Sequence, residues 1–526
     1  MTEPVKRWMS VDDALRMARE LFQQGRAADA ARIAQEVADF RGGHPDAFHL
    51  LGIIAYQGGR LDRAIKFTEQ AVRLAPQTAA FHSNLAEMCR LRGRLEQALA
   101  AGKRATELQP GNAQAWNNLG IIHFDRKDFA GAEACYRRAL TLDERFGHAW
   151  NNLGNALVRL GRDEDAHQAF ARAIALVPQY SEAMVNDGLC YREEGRFDLA
   201  GERLRQAIEA NPNNANAHVS HAILQMLQGR EQEGLGEYEW RLALPGITPK
   251  GLPGQRWRGE PISGKRIFVF CEQGLGDTIQ YLRYLTVLAA RRPETITVQV
   301  QPNLQRLVED NFPFVKVVRN IPQADDSDFH CALMSLPLLL AQPVVGASAQ
   351  GAYLSAPSDQ ADAWRTRLNG GTLKVGLAWA GSVTHKYDYS RSIPADFLLP
   401  LLRTEGCSFH GLQIGSKAAS EPLIHKGMVD LSRDVGTMTA TAAAISALDL
   451  VISIDTSIAH LAGALGKPIW MMLCRVPDWR WRLTGETTPI YGSMRIFRQP
   501  ERGDWASVVE AVSRALTEAA AARGQS

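Results

Sequence analysis

One interval constrains this chain more than any other property: residues of the same kind return every 34 positions through its first half. Gly52, Ala86, Gly120, Gly154, Gly188 and Ala222 form one register, and Ala30, Ala64, Ala98, Ala132, Ala166 and Ala200 a second. Pro76, Pro110, Pro178 and Pro212 form a third, with Glu144 at the missing step. Gly-Arg pairs starting at 25, 59, 93, 161, 195 and 229 keep the same beat, which Arg126-Lys127 breaks once. Small residues belong where two antiparallel helices cross closely. Gly belongs where the first helix ends in a left-handed turn, and Pro starts the next unit because it cannot continue the helix before it. Such a period selects stacked helical hairpins, each burying its apolar face against its neighbours.

Between these marks lie Trp116, Leu119 and Tyr136, then Trp150, Leu153 and Phe170. The arrangement resembles the W-x-x-L-G…A-x-x-x-F…P pattern of tetratricopeptide repeats over residues 11–246, as six clear copies and a degenerate seventh. The resemblance implies a superhelix with a concave face. Asn84, Asn118, Asn152 and Asn186 share one register, two residues before the small position, and are expected to form a ladder along that face. A side-chain amide both donates and accepts, so such a row suits the backbone of an extended acceptor protein. The ladder is similar to that of O-GlcNAc transferases; an ordinary consensus role for Asn is the alternative. Asp187 and His221 stand where the pattern calls for a buried Leu, which predicts looser packing late in the array. His218 and His221 have no third ligand nearby, so a polar-face role is expected rather than a metal site.

The 526 residues predict three or four units at roughly 150 residues each. Lys and Arg total 59 against 57 Asp and Glu, which argues against a nucleic-acid partner. Seven scattered cysteines contain no C-x-x-C pair, so reduced thiols are expected rather than a zinc ribbon or a disulfide framework. No stretch supplies the roughly 18 apolar residues of a membrane helix, and the start MTEPVKRWMS lacks the apolar core of a secretory signal. A cytoplasmic location without a transmembrane segment is the expectation.

The 34-residue beat stops near residue 246, and the Pro/Gly-rich segment 247–264, which holds Trp257, reads as an ordered linker. From Arg266 short apolar runs alternate with amphipathic segments. Ile267–Phe270, Thr295–Val300 and Val315–Val318 read as strands of one half, 265–365. Val375–Trp379, Phe409–Ile414, Leu450–Ile454 and Ile469–Leu473 read as strands of a second, 366–526. Alternation of this kind means parallel sheets covered by helices, here two Rossmann-like lobes facing a cleft. Ligands in such folds sit at the carboxyl ends of strands beside helix amino termini. Two strand-to-helix loops stand there: Gly274-Leu275-Gly276-Asp277, and Asp455-Thr456-Ser457 leading to His460. The first lacks the third Gly of a dinucleotide fingerprint, and Gly259–Lys265 is followed by Arg266 rather than Ser or Thr, so neither NAD nor a P-loop is read here. In the second, Thr456 or Ser457 can cap the helix.

Residues 266–515 resemble the heptosyltransferases of glycosyltransferase family 9, whose GT-B fold pairs two Rossmann lobes. The likeness rests on Gly276-Asp277 after the first strand and on Asp455-Thr456-Ser457-Ile458-Ala459-His460-Leu461, where Ser457 replaces the usual Gly. It implies that Asp277 is the catalytic base and that Gly274, Gly276, Asp455, Thr456, Ser457 and His460 hold the donor. Lys386 and Arg391 are candidates for the phosphate-binding cation, and Arg391 fits better. Gln413 stands where the family often has an acid that holds the nucleotide ribose.

The whole arrangement, an α-solenoid followed by an α/β GT-B region, is similar to bacterial repeat-containing glycosyltransferases, some of which modify flagellin. Asp478-Trp479-Arg480-Trp481 and Gly503-Asp504-Trp505 recur in that group and would either stack on the substrate or pin the lobes. Asp326-x-Asp328 has the form of a metal-binding D-x-D but follows no obvious strand, and a chance occurrence is expected. The expected reaction moves a sugar from a nucleotide-sugar to a hydroxyl of a protein such as flagellin, with the nucleotide-sugar as substrate and neither cofactor nor metal. A lipopolysaccharide heptosyltransferase and a non-catalytic scaffold are the alternatives.

Overall fold

The computed structural model describes residues 10–40, 42–322, 326–344, 351–382, 388–413 and 420–524. They fall into two compact units. The first runs to Tyr191 and takes in Gln206–Pro212; the second comprises Arg192–Arg205 and the chain from Asn213 onward. The boundary between these units lies inside the repeats.

The first unit is a helical repeat solenoid of antiparallel pairs, from Val11–Gln23 with Ala27–Asp39 to Gly147–Arg159 with Asp163–Leu176. The registers act as their chemistry requires. A Cβ on Gly120 would meet the Tyr136 ring at 2.5 Å, and one on Gly154 the Phe170 ring at 2.5 Å, so each small residue admits the aromatic of its own second helix. Ala98, Ala132 and Ala166 are wholly buried. Trp116 and Trp150 donate their indole N–H to the carbonyls of Pro110 and Glu144, pinning each first helix to the turn before it. The inter-helix turns take positive φ at Gly25, Gly59, Gly93 and Gly161; where the beat breaks, Lys127 adopts φ 64°.

The array does not loosen at Asp187. That carboxylate is 1% exposed, with Oδ1 2.5 Å from Nδ1 of the buried His167, whose ring stacks on Tyr191. A polar pair thus replaces the leucine. In the second unit, His218 and His221 each turn Nδ1 to one oxygen of Glu237, at 2.9 and 2.7 Å, and His218 stacks on Trp240. The two histidines thus share one carboxylate.

The second unit contains two parallel sheets. The first uses β1 (Gln255–Arg256), β2 (Arg266–Phe270), β3 (Thr295–Gln299), β4 (Lys316–Val318) and β5 (Phe329–Ala332), in the order β1-β5-β2-β3-β4. The second uses β6 (Leu373–Ala378), β7 (Cys407–Gly411), β8 (Val429–Asp430), β9 (Leu450–Ser453), β10 (Ile469–Leu473) and β11 (Met494–Arg498), in the order β11-β10-β9-β6-β7-β8. Segment 247–264 is therefore no linker: β1 pairs with β5, and Trp257 is 3% exposed with its indole N–H on the carbonyl of Glu260. Ile267 and Val269 join the main core, whereas Phe268 and Phe270 face a small cluster closed by Leu242 and Leu252. The expected strands appear, Ile469–Leu473 with its expected ends and the others with shifted ones; Ile414 lies outside the described residues.

Candidate functional site

In each parallel sheet the strand order switches sides, between β2 and β5 in the first and between β6 and β9 in the second, so the connections leaving those neighbouring strands run to opposite faces and open a crevice there. The loops after β2, β6 and β9 line one cavity of about 1060 Å³. Gly274, Gly276 and Asp277 enter it from the first sheet; Arg391, Gln413, Asp455, Thr456, Ser457 and His460 enter it from the second. The carboxyl ends of two sheets thus bring together the described candidates for catalysis and donor binding. Lys386 lies outside the described residues.

Asp277 sits in the first turn of the helix Leu275–Tyr281 and accepts the Gly274 N–H on Oδ2 at 3.1 Å. Its Oδ1 lies 2.5 Å from Nη2 of Arg480, whose Nη1 reaches Asp478 at 2.8 Å. Burial opposes the charge on Arg480, but Asp478 and Asp277 outweigh it and keep the guanidinium protonated. Trp479 and Trp481 are each 1% exposed, so this motif braces the seam between the sheets rather than offering rings to a ligand. Trp505 is likewise buried in the core. Behind the loop, Glu272 accepts from the buried Arg241 at 2.9 Å; burial pushes its carboxyl above the usual range, although Arg241 pulls it back.

On the other side, Asp455 follows β9. Its backbone carbonyl accepts from Arg391 Nη1 at 3.0 Å, and its Oδ1 faces His460 Nε2 at 3.6 Å. His460 Nδ1 lies 3.0 Å from the Tyr491 hydroxyl, so the imidazole is a buried support for Asp455. Burial would raise the Asp455 carboxyl, but His460, with Arg480 nearby, holds it below the ordinary carboxylate range. Thr456 takes the N-cap position of Ser457–Ala464 without capping it, because its hydroxyl meets Ser453 Oγ at 3.1 Å. The helix thus begins in the cavity with no Thr456 cap over its first N–H groups, a site suited to an anion.

Gln413 lines the cavity with its amide engaged by the turn after β6. Oε1 accepts from the N–H groups of Trp379 and Ala380, and Nε2 donates to the Ala380 carbonyl, which fixes the turn after β6. Asp328 accepts the Arg266 N–H at 2.8 Å and Asp326 pairs with the Arg266 side chain, so the D-x-D run secures a strand.

The Asn ladder is half-buried. Asn152 donates to Asn117 at 3.0 Å, Asn186 to Asn151 at 2.9 Å, and Asn84 Nδ2 lies 2.7 Å from His49 Nε2. Each of these three commits an amide hydrogen to the preceding repeat. Asn118 instead accepts from Gln114.

Sequence reasoning missed Arg192, Glu193, Ile223 and Tyr238, which also line the cavity. Nothing local marked them: the register of Arg192 holds Arg90, Phe124 and Val158 in earlier repeats.

Profiles of the tetratricopeptide repeat match residues 21–88, 67–113, 111–179, 151–215 and 188–243. Tetratricopeptide repeats are present. Protein FlbA of Caulobacter vibrioides is 28% identical over 332 residues, covering 57% of this chain and 55% of that protein. The chain thus spans about half the length of this curated relative. Among solved structures, MamA is 23% identical with a TM-score of 0.29, covering 31% of this chain and 96% of its own. The APC/C hetero-tetramer Cut9-Hcn1 is 18% identical with a TM-score of 0.38, covering 45% and 47%. YrrB, described as a tetratricopeptide protein with an unusual peptide-binding site, is 23% identical with a TM-score of 0.27, covering 35% and 93%. Among the described residues no helix is long and apolar enough to cross a membrane.

Proposed function

We propose that this chain is a glycosyltransferase of GT-B type that moves a sugar from a nucleotide-sugar to a hydroxyl of a protein bound by the tetratricopeptide repeats. The observation that supports this reading is the convergence of Asp277 and Asp455 on one cavity of about 1060 Å³ at the carboxyl ends of two parallel sheets. In the proposed step Asp277 takes the proton from the acceptor hydroxyl as its oxygen attacks the anomeric carbon. The bond from that carbon to the diphosphate breaks, and the nucleoside diphosphate leaves with the electron pair. Arg391 and the first N–H groups of Ser457–Ala464 balance the growing charge. Asp455 accepts from sugar hydroxyls. A heptose transfer to lipopolysaccharide would use the same groups with a different acceptor.

Full-length protein incubated with UDP-, GDP-, ADP- and dTDP-sugars is expected to release nucleoside diphosphate. Asp277→Ala is expected to slow that release about 100-fold or more, the usual scale for loss of a general base. Unchanged release in the variant removes Asp277 from the role. A non-catalytic scaffold is the second reading, favoured by the ion pair that already engages Asp277; failure of every donor to bind selects it.

A further inference from the structure

Among the charged side chains of the cavity to which the proposed reaction gives no role, Arg480 is the one that reaches the proposed base. Arg480 is 7% exposed and joins two acids, Asp277 through Nη2 and Asp478 through Nη1. Its guanidinium lies 5.1 Å from the Trp479 ring and 5.8 Å from that of Tyr281, while Nε is buried without a partner. Asp277 follows β2 of the first sheet, and Arg480 follows β10 of the second. A residue of one sheet thus fixes the carboxylate of the other.

We propose that Arg480 is the positioning residue for Asp277, an assignment that rests on the transferase reading. The Gly274 N–H holds Oδ2 and Arg480 holds Oδ1, so the carboxylate cannot turn about its own axis. Each oxygen keeps a lone pair for the acceptor hydroxyl. The second tether to Asp478 matters as much, because a guanidinium shared between two acids cannot simply follow Asp277 when it moves. A second arginine crosses the seam in the opposite direction. Arg283 lies between the Tyr353 and Tyr491 rings, at 4.6 and 5.1 Å, and donates Nη1 to the Ile490 carbonyl at 3.0 Å. Tyr491 in turn meets His460 beside Asp455. The two arginines register the proposed base against the donor side, and separating the sheets would release Asp277 from its orientation.

The test is a double-mutant cycle on the full chain, with Arg480→Met, Arg480→Lys, Asp277→Asn and the Arg480→Met/Asp277→Asn pair. The probe is hydrolysis of the nucleotide-sugar that wild type cleaves fastest, with calorimetric binding of the matching nucleoside diphosphate. Arg480→Met is expected to lower kcat at least tenfold and to leave diphosphate affinity within threefold of wild type. Arg480→Lys is expected to regain part of the loss. The double variant is expected to be no slower than Asp277→Asn, because both changes remove one function. Multiplied losses, or a loss of affinity that parallels kcat, overturn the assignment. If Arg480→Met does not fold, Arg480→Lys carries the same cycle with Asp277→Asn. Hydrolysis by wild type with multiplied losses overturns only this role; no hydrolysis of any donor overturns the transferase reading and this role with it.

Discussion

Gly276 and His460 meet with no room for a methyl group: a Cβ at position 276 would lie 2.8 Å from Cδ2 of the imidazole and 3.4 Å from the Ser457 Cα. The loop after β2 and the helix after β9 therefore close on each other at a residue that cannot gain a side chain. Gly276→Ala must displace a buried ring held by Tyr491, at an expected cost of about 1–3 kcal/mol. Thermal unfolding and nucleoside diphosphate titration check this together, since the displaced ring also supports Asp455. A variant with wild-type stability and affinity would show that the approach is looser than drawn.

Asp455 predicts a pH dependence. His460 and Arg480 outweigh burial and hold its carboxyl below the ordinary range, so the folded protein favours the ionised form more than the unfolded chain does. The reference carboxyl titrates near pH 4 (about 3.9), so this stabilisation is complete above that pH and fades as acid protonates the folded state. The stability difference between wild type and Asp455→Asn should be largest at neutral pH and narrow steadily from pH 4 toward pH 2. Urea unfolding across that range is the measurement, and a constant difference counts against the pairing.

His167 and Asp187 are a substitute for apolar packing. Asp187→Leu restores the residue found at Leu119 and Leu153 but leaves the buried His167 without its carboxylate, at an expected cost of about 3 kcal/mol. Adding His167→Leu should recover most of it. Chemical denaturation of the single and double variants decides between a coupled pair and two independent sites.

Lys127 holds a left-handed backbone where the neighbouring repeats use Gly. A side chain in that region costs about 1–2 kcal/mol, part of which the greater freedom of an unfolded glycine offsets. Lys127→Gly should therefore stabilise the array by about 0.5–1 kcal/mol, read as a higher urea midpoint. A lower midpoint would mean that the lysine side chain contributes more than its backbone costs.

The repeats were legible because their contacts recur at one spacing, so each register states its own packing: Gly120 over Tyr136, Gly154 over Phe170. Strands buried on both faces, such as Ile267–Phe270 and Ile469–Leu473, announced themselves as apolar runs. β1, β5, β8 and β11 did not, being two residues long or carrying His330, Arg495 and Arg498 among apolar neighbours. Their registers come from partner strands distant in sequence. Of the site, the loop motifs were readable and their supports were not. Asp277 and Arg480 are 203 positions apart, and no local pattern reports which acid an arginine will reach.

Arg192, Glu193, Ile223 and Tyr238 stand in the wall of the cavity although the chain reaches them before segment 247–264. Repeat arrays ordinarily grow and shrink by whole hairpins without harm elsewhere. Here that liberty ends at the helix containing Arg192. Lineages that lengthen, trim or exchange the array can do so upstream of it, while the final hairpins must be inherited together with the sheets.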